Sequence, residues 1–422
     1  MFIQLFLLTL AFTHAFAVSP TISLPILFGL AVFFGAFAPG AGGRKPSIHV
    51  GLQFGLAISF LFLGAVGAIF RSLENGFEAQ TITHLIAFTA VFVLFLGGPG
   101  LAFRLSNIPI DRVLRWITYG VLLVACFVLA EFVAKNFLQI PLDNLLPRPS
   151  VTNYEARYFI GPTSFFRSRG FASESGHTAL FLIMFLPIVI SHLFHGRKRS
   201  TISSYAGVAL IGAAVVTTFS AAVVVDLAIG GTVTALLFSL RKRSGTYSGR
   251  PVVLFIFALA AAVTAGILSM WSRGLPAIFD GILTKLQLEG TAPADRSSRW
   301  EAALSMFRES PIWGNGIGSV AIETGTGSTS FFLEILAEAG LIGFALIAAI
   351  LLVSVRRILM LGGPRKWAYL LSFTIAIVHY NAISDYWYPW LWVLLAVVNY
   401  EHHLERVGHG LSPQVRDGTV RS

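Results

Sequence analysis

The stretch RSRGFASESGHTALF, residues 167–181, gathers Arg167, Arg169, Glu174 and His177 at the mouth of a long apolar run. Guanidinium forks suit bidentate contacts with phosphate oxygens, and a diphosphate needs more than one fork. Arg148 and Arg157 lie just upstream, making four arginines close together in a chain elsewhere sparing with charge. The competing reading pairs these arginines with lipid headgroup phosphates or with Asp143 and Glu155. Glu174 and His177 stand i, i+3, on one face if the helix has begun there. A carboxylate so placed can serve as general base on a hydroxyl or hold it by a hydrogen bond. Helix capping is the plainer role for Glu174, and an interfacial histidine the plainer role for His177.

A second set lies in DRSSRWEAALSMFRESP, where Ser298 and Glu301 fit an S-x-x-E capping box. Trp300, Leu304 and Phe307 recur at helical spacing, so the pattern predicts an amphipathic helix over about 299–309, stopped by Pro311. Arg296 and Arg299 on this segment are further candidates for an anion. Arg299 would fall in the first helical turn, where the macrodipole disfavours a cation. Gly314, Gly316 and Gly318 then permit a tight backbone path. They equally fit a plain connector. Because this G-x-G-x-G follows no strand, it does not read as a nucleotide loop.

Within apolar runs, Asp226, Glu334 and Glu338 are costly to bury and should face the bundle interior or a watery cavity. They suit either a substrate path, with Glu334, Glu338 and Trp300 touching glycan or lipid, or interhelical hydrogen bonds. Asp385 with Tyr386, Trp387, Tyr388, Trp390 and Trp392 reads mainly as an interfacial aromatic belt, with a sugar platform as the alternative. No H-x-x-x-H, D-x-D or cysteine pair suggests a metal site, so no metal or other cofactor is expected. The single cysteine, Cys126, can form no internal disulfide.

These residues must be positioned by membrane helices. The chain has 422 residues, 55% hydrophobic and only 12% charged, and a mean hydropathy of +0.76. About twelve apolar runs are long enough to span a bilayer: 2–18, 21–38, 48–70, 80–97, 113–134, 176–194, 202–219, 221–240, 251–271, 331–354, 367–382 and 386–400. In the first run, Ala15-Phe16-Ala17 resembles a signal-peptidase site, but no positive charge precedes it, which favours a retained helix. With the N-terminus inside, alternate loops at 39–47, 98–115, 195–201, 241–250 and 355–366 hold sixteen Lys/Arg and one acid, Asp111. This positive-inside pattern accounts for the net charge of +10 without nucleic acid.

The expected fold class is an all-α, polytopic membrane helix bundle of about twelve transmembrane helices with two long outer loops. The divisions are N-terminal helices 1–134, a first long loop 135–175, central helices 176–271, a large loop 272–330, C-terminal helices 331–400 and a tail 401–422.

Two segments carry a resemblance to the O-antigen ligase/polymerase family of bacterial envelope glycan enzymes. RSRGFASESGHTALFLIMFLP resembles the family's arginine–glycine stretch leading into a helix, with Ser175 where an "EPS" variant has proline. SRWEAALSMFRESPIWGNGIGS…SFFLEILAEAGLIGF, residues 298–344, resembles its R-x-x-x-W-x-x-A…P-x-x-G-x-G…L-E-x-x-x-E-x-G-x-x-G signature. Two departures stand out. Ligases of the family typically carry His-Asn just before L-E, where this chain has Thr329 and Ser330. The turn after the seventh helix, often Ser-Arg in the family, reads Ser220-Ala221.

The resemblance implies a GT-C-like, multi-pass inner-membrane glycosyltransferase working without a metal on its periplasmic face. Its substrates would be undecaprenyl-diphosphate-linked glycans in the lipid bilayer. A flippase and a chain-length regulator would be its protein partners. Arg167, Arg169, Arg296 and Arg299 would take the diphosphate, with Glu174 and then His177 as catalytic groups. The absent histidine favours a polymerase over a ligase. A transporter and a structural membrane subunit are the rivals from other classes.

Overall fold

The computed structural model describes residues 1–19, 22–37, 51–76, 78–149, 157–160, 163–195, 201–241 and 291–410. Six of the described helices are long and apolar enough to cross a membrane. They are α3 (Leu52–Asn75), α4 (Ala79–Leu105), α5 (Ile110–Phe137), α6 (Ser175–His195), α8 (Ala221–Arg241) and α11 (Phe331–Met360). Shorter apolar helices are α2 (Leu24–Ala36) and α7 (Thr201–Thr217). A short α10 (Ser319–Thr324) precedes α11, and α12 (Arg365–His379) and α13 (Pro389–Gly410) complete the C-terminal end. The chain is thus a multi-pass, helical membrane protein. The expected run 251–271 lies outside the described residues.

Several boundaries differ from expectation. Residues 2–18 do not form one span: α1 covers only Phe2–Leu8, and turns follow. Phe16 there has φ 60°, and the His14 and Ala15 amides leave helical pairing to donate to Phe171 O at 3.1 and 2.9 Å. Residues 401–410 continue α13 rather than opening a tail, since Glu, His, Leu and Arg all tolerate a helix leaving the bilayer. α4 carries a π-helical segment, Val91–Gly97, ahead of Pro99, which has no amide hydrogen to donate.

α6 is the central element. Its residues 177–189 are all buried, and it packs against α5, α7, α8 and α12. Trp390, Trp392 and Tyr386 are fully buried at the start of α13 and just before it. Trp390 Nε1 donates to Leu10 O at 2.8 Å, and Trp392 Nε1 to Tyr386 O at 2.8 Å. The aromatic run is therefore core rather than a belt, with Trp387 its exposed member at 37%. Each indole is buried with its N–H satisfied. Asp226 of α8 pairs with His379 of α12 at 2.5 Å, so its role is an interhelical bond.

α9 spans Thr291–Glu309 and begins well before the expected 299. Pro293 sits in its first turn, where its missing N–H has no helical partner to lose. Ser298 and Glu301 consequently lie in the helix interior and do not cap it. The buried face is Ala303 and Met306, packed with Val320 and Ala337, while Leu304 is exposed.

Candidate functional site

The first arginine loop is held from three directions. Glu131 of α5 is fully buried and accepts the backbone amides of Arg169 at 3.2 Å and Gly170 at 2.7 Å. Asn136, one turn further, pairs with both backbone groups of Phe166 at 2.7 and 3.1 Å. Arg148 donates to Gly170 O at 2.7 Å and Ala172 O at 2.8 Å. Burial, followed by Arg169 beside it, pushes the Arg148 guanidinium down to about 10. Thr178 closes the loop from α6 by donating to Arg169 O. Gly170 has φ 56°, and a Cβ there would lie 2.9 Å from Val128. Only glycine suits that approach.

This scaffold sorts the expected anion-binding residues. Arg169 is 1% exposed, and its guanidinium pairs with buried Asp143 at 3.0 Å. Lys135 joins the same carboxylate at 2.9 Å. Arg169 therefore braces the loop instead of facing outward, as the pairing with Asp143 considered above required. Arg157 is exposed and stacks over the Phe166 ring at 4.2 Å. Arg167 is half-buried and directs Nε to Thr218 O at 2.9 Å. That contact places a guanidinium at the turn between α7 and α8, beside Ser220-Ala221. Arg296 is exposed and Arg299 half-buried on α9.

His177 lies in the first turn of α6, buried, and bonded on both ring nitrogens. Nε2 is 2.8 Å from Asp385 Oδ2. Nδ1 is 2.9 Å from Ser173 Oγ and 3.1 Å from Tyr388 OH, and those two hydroxyls are 2.9 Å apart. Burial and the nearby Asp385 carboxylate raise Tyr388 well above the usual phenol range, so it remains a donor. A carboxylate on Nε2 fixes the proton there and leaves the Nδ1 lone pair facing hydroxyls. Glu174 is exposed beside this cluster, and Ser173 is half-buried. The arrangement can orient a hydroxyl and take its proton.

The second loop meets the bundle through its glycines. Gly314, Gly316 and Gly318 all have positive φ, at 75°, 93° and 84°. α11 breaks opposite them at Gly340, which has φ 64°. Asn315 N donates to Ala337 O at 3.0 Å, and Gly316 N to Glu338 O at 2.9 Å. Leu341 N donates in return to Pro311 O at 2.9 Å. The loop thus supplies the partners that the broken helix loses, as non-helical backbone at membrane depth requires. A Cβ at Gly314 would overlap Glu338 O, and one at Gly340 would overlap Ile312 O. The glycines are a docking surface, not a loose connector.

Glu334 and Glu338, on α11 before the break, are each 1% exposed. They point into protein and not to a surface that a glycan could cover. Trp300 is half-buried on α9. The residues between α12 and α13 join the two loops. Next to Asp385, Ser384 hydrogen-bonds Glu334, and Tyr386 OH reaches His84 Nδ1 at 3.0 Å. Sequence reasoning grouped these residues as an aromatic belt and missed the role of Asp385 and Tyr388. The one available signal was an aspartate set within aromatics.

Fold and site together define a multi-pass helical membrane protein with a histidine–carboxylate cluster where two long loops meet. Residues 206–348 match the family described as O-Antigen ligase, and the chain carries an O-antigen ligase-related domain over that stretch. That family covers O-antigen ligases and related polymerases, which are glycosyl-transferring membrane enzymes. The glycine loop, the break at Gly340 and both buried glutamates fall inside the matched stretch, whereas Arg167 to His177 precede it. Comparison with curated proteins gives no match.

Proposed function

We propose that the protein polymerises undecaprenyl-diphosphate-linked oligosaccharide units into a surface polysaccharide at the periplasmic face of the inner membrane. The observation that carries this reading is the cluster of His177, Asp385, Ser173 and Tyr388 beside exposed Glu174 and half-buried Arg167. An acceptor sugar hydroxyl attacks the anomeric carbon of the lipid-linked donor. The bond from that carbon to the diphosphate oxygen breaks, and undecaprenyl diphosphate leaves with the electron pair. The hydroxyl proton passes through Ser173 to His177 Nδ1, or directly to Glu174, while Asp385 holds the resulting imidazolium. Arg167, with Arg296 or Arg299 from α9, stabilises negative charge on the departing diphosphate, so the transfer chemistry calls on no metal.

The polymerase reading is preferred over ligation because Thr329 and Ser330 occupy the places of the ligases' His-Asn. Ser330 instead caps α11, accepting from Leu333 N at 3.5 Å. A flippase and a chain-length regulator are the partner proteins this reading calls for. The test is the glycan profile of a deletion strain complemented with wild type, Glu174→Gln or His177→Gln. Loss of long polymer with accumulated single-unit glycan supports polymerisation. Full-length but unattached polymer in the deletion strain indicates ligation instead, and an unchanged profile overturns both. The broken helix α11 is also what a transporter would use. Flux of lipid-linked units in proteoliposomes without polymer formation would favour that reading.

A further inference from the structure

We propose that His84, Glu334 and Glu338 form a binding site for a divalent transition-metal ion that ties the broken helix α11 to α4. One ligand atom from each residue lies within 4.8 Å of the others. Metal–ligand bonds of about 2 Å put neighbouring donors roughly 3 to 4 Å apart, so small side-chain rotations close the set. All three residues are at most 9% exposed. Among the described residues, Glu334 Oε1 and Glu338 Oε2 are buried without a hydrogen-bond partner.

The opposite side of each ligand is already held, as orienting contacts around a metal usually are. Glu334 Oε2 accepts from Ser328 N at 2.9 Å and from Ser328 Oγ at 3.2 Å, and Ser384 hydrogen-bonds the same carboxylate. Glu338 Oε1 accepts from Val320 N at 3.3 Å. Tyr386 OH lies 3.0 Å from His84 Nδ1 and fixes the ring. Two adjacent carboxylates in a low-dielectric interior need a cation or a shared proton. Arg71, which lies near Glu338, spends its guanidinium on Glu78 at 2.7 Å and Asn315 O at 3.1 Å. One imidazole with two carboxylates suits Zn²⁺ or Mn²⁺ better than Mg²⁺, which prefers oxygen ligands and retains its waters.

The position gives the ion a task. Glu334 and Glu338 sit before the Gly340 break, where helical hydrogen bonding no longer fixes this end of α11 to the remainder. His84 sits on α4, Val320 on α10, and Ser328 on the loop between α10 and α11. An ion here locks three segments together, independently of the transfer chemistry proposed for His177.

The test uses full-length protein purified in detergent without chelators. Elemental analysis should find about one Zn or Mn per chain. After chelation, added Zn²⁺ or Mn²⁺, but not Mg²⁺, should raise the melting temperature. Glu338→Gln and His84→Gln should lose bound metal and the shift. Tyr386→Phe, which keeps the fold, should weaken metal binding about 10- to 100-fold. His402→Gln/His403→Gln, half-buried near the end of α13, should bind as wild type does. Equal binding by Glu338→Gln and wild type overturns the proposal. So does metal-free wild type whose melting ignores Zn²⁺ and Mn²⁺, a result that assigns the carboxyl pair a shared proton. If Glu338→Gln fails to fold, unchanged affinity in Tyr386→Phe overturns it as well.

Discussion

Asp385, between α12 and α13, holds His177 of α6 through a 2.8 Å contact between Oδ2 and Nε2. Asp385→Asn should keep the packing but remove the charge that holds the imidazolium. Polymerisation of lipid-linked units by purified protein should fall about 10²- to 10⁴-fold, chiefly in kcat. A pH–rate profile identical to wild type would remove Asp385 from the mechanism.

Arg169 and Asp143 form a buried pair, with Lys135 on the same carboxylate. Asp143→Ala strands two cations in the interior and should destabilise the protein by about 3 to 5 kcal/mol. Thermal melting in detergent checks this. Replacing Asp143, Lys135 and Arg169 together by apolar residues should recover part of the loss. Failure of Asp143→Ala to lower stability would mean the arginine is free to serve a ligand.

Gly314 and Gly340 approach each other's strands of backbone too closely for a side chain. Gly314→Ala and Gly340→Ala should therefore fail to accumulate in membranes. Gly325 also has positive φ, at 71°, but nothing lies within 4 Å of its added Cβ. Gly325→Ala should cost only about 1 to 2 kcal/mol for its left-handed backbone and express well. Quantitative immunoblotting of membrane fractions separates the two outcomes.

Glu174 and Arg167 are open to ligand, whereas their neighbours are locked in the scaffold. Glu174→Gln should leave melting unchanged. Arg167→Ala loses the bond to Thr218 O and about 10²- to 10³-fold in kcat, the range for one charge-stabilising donor. Arg169→Lys should instead lower stability before activity. Melting curves run beside single-turnover assays distinguish the three.

What the sequence determined by itself was the membrane character and the placing of most long helices. Those follow from run length, charge placement and local residue types, which act over one or two helical turns. It also singled out His177, Glu174 and the arginines, because charge beside an apolar run is visible locally. Only the tertiary structure decided what each does. The sequence offered Asp143 only as one alternative partner for the arginines and gave no sign of Glu131; packing chose Arg169 for Asp143 and brought Glu131 to the loop backbone. Asp385 looked like a belt residue because its partner His177 lies on another helix. The glycines around 314–318 became necessary once α11 broke at Gly340 and left carbonyls to be satisfied from outside. Buried polar groups in a bilayer must find partners within the protein. Those partners are chosen by packing between helices, which no local pattern encodes.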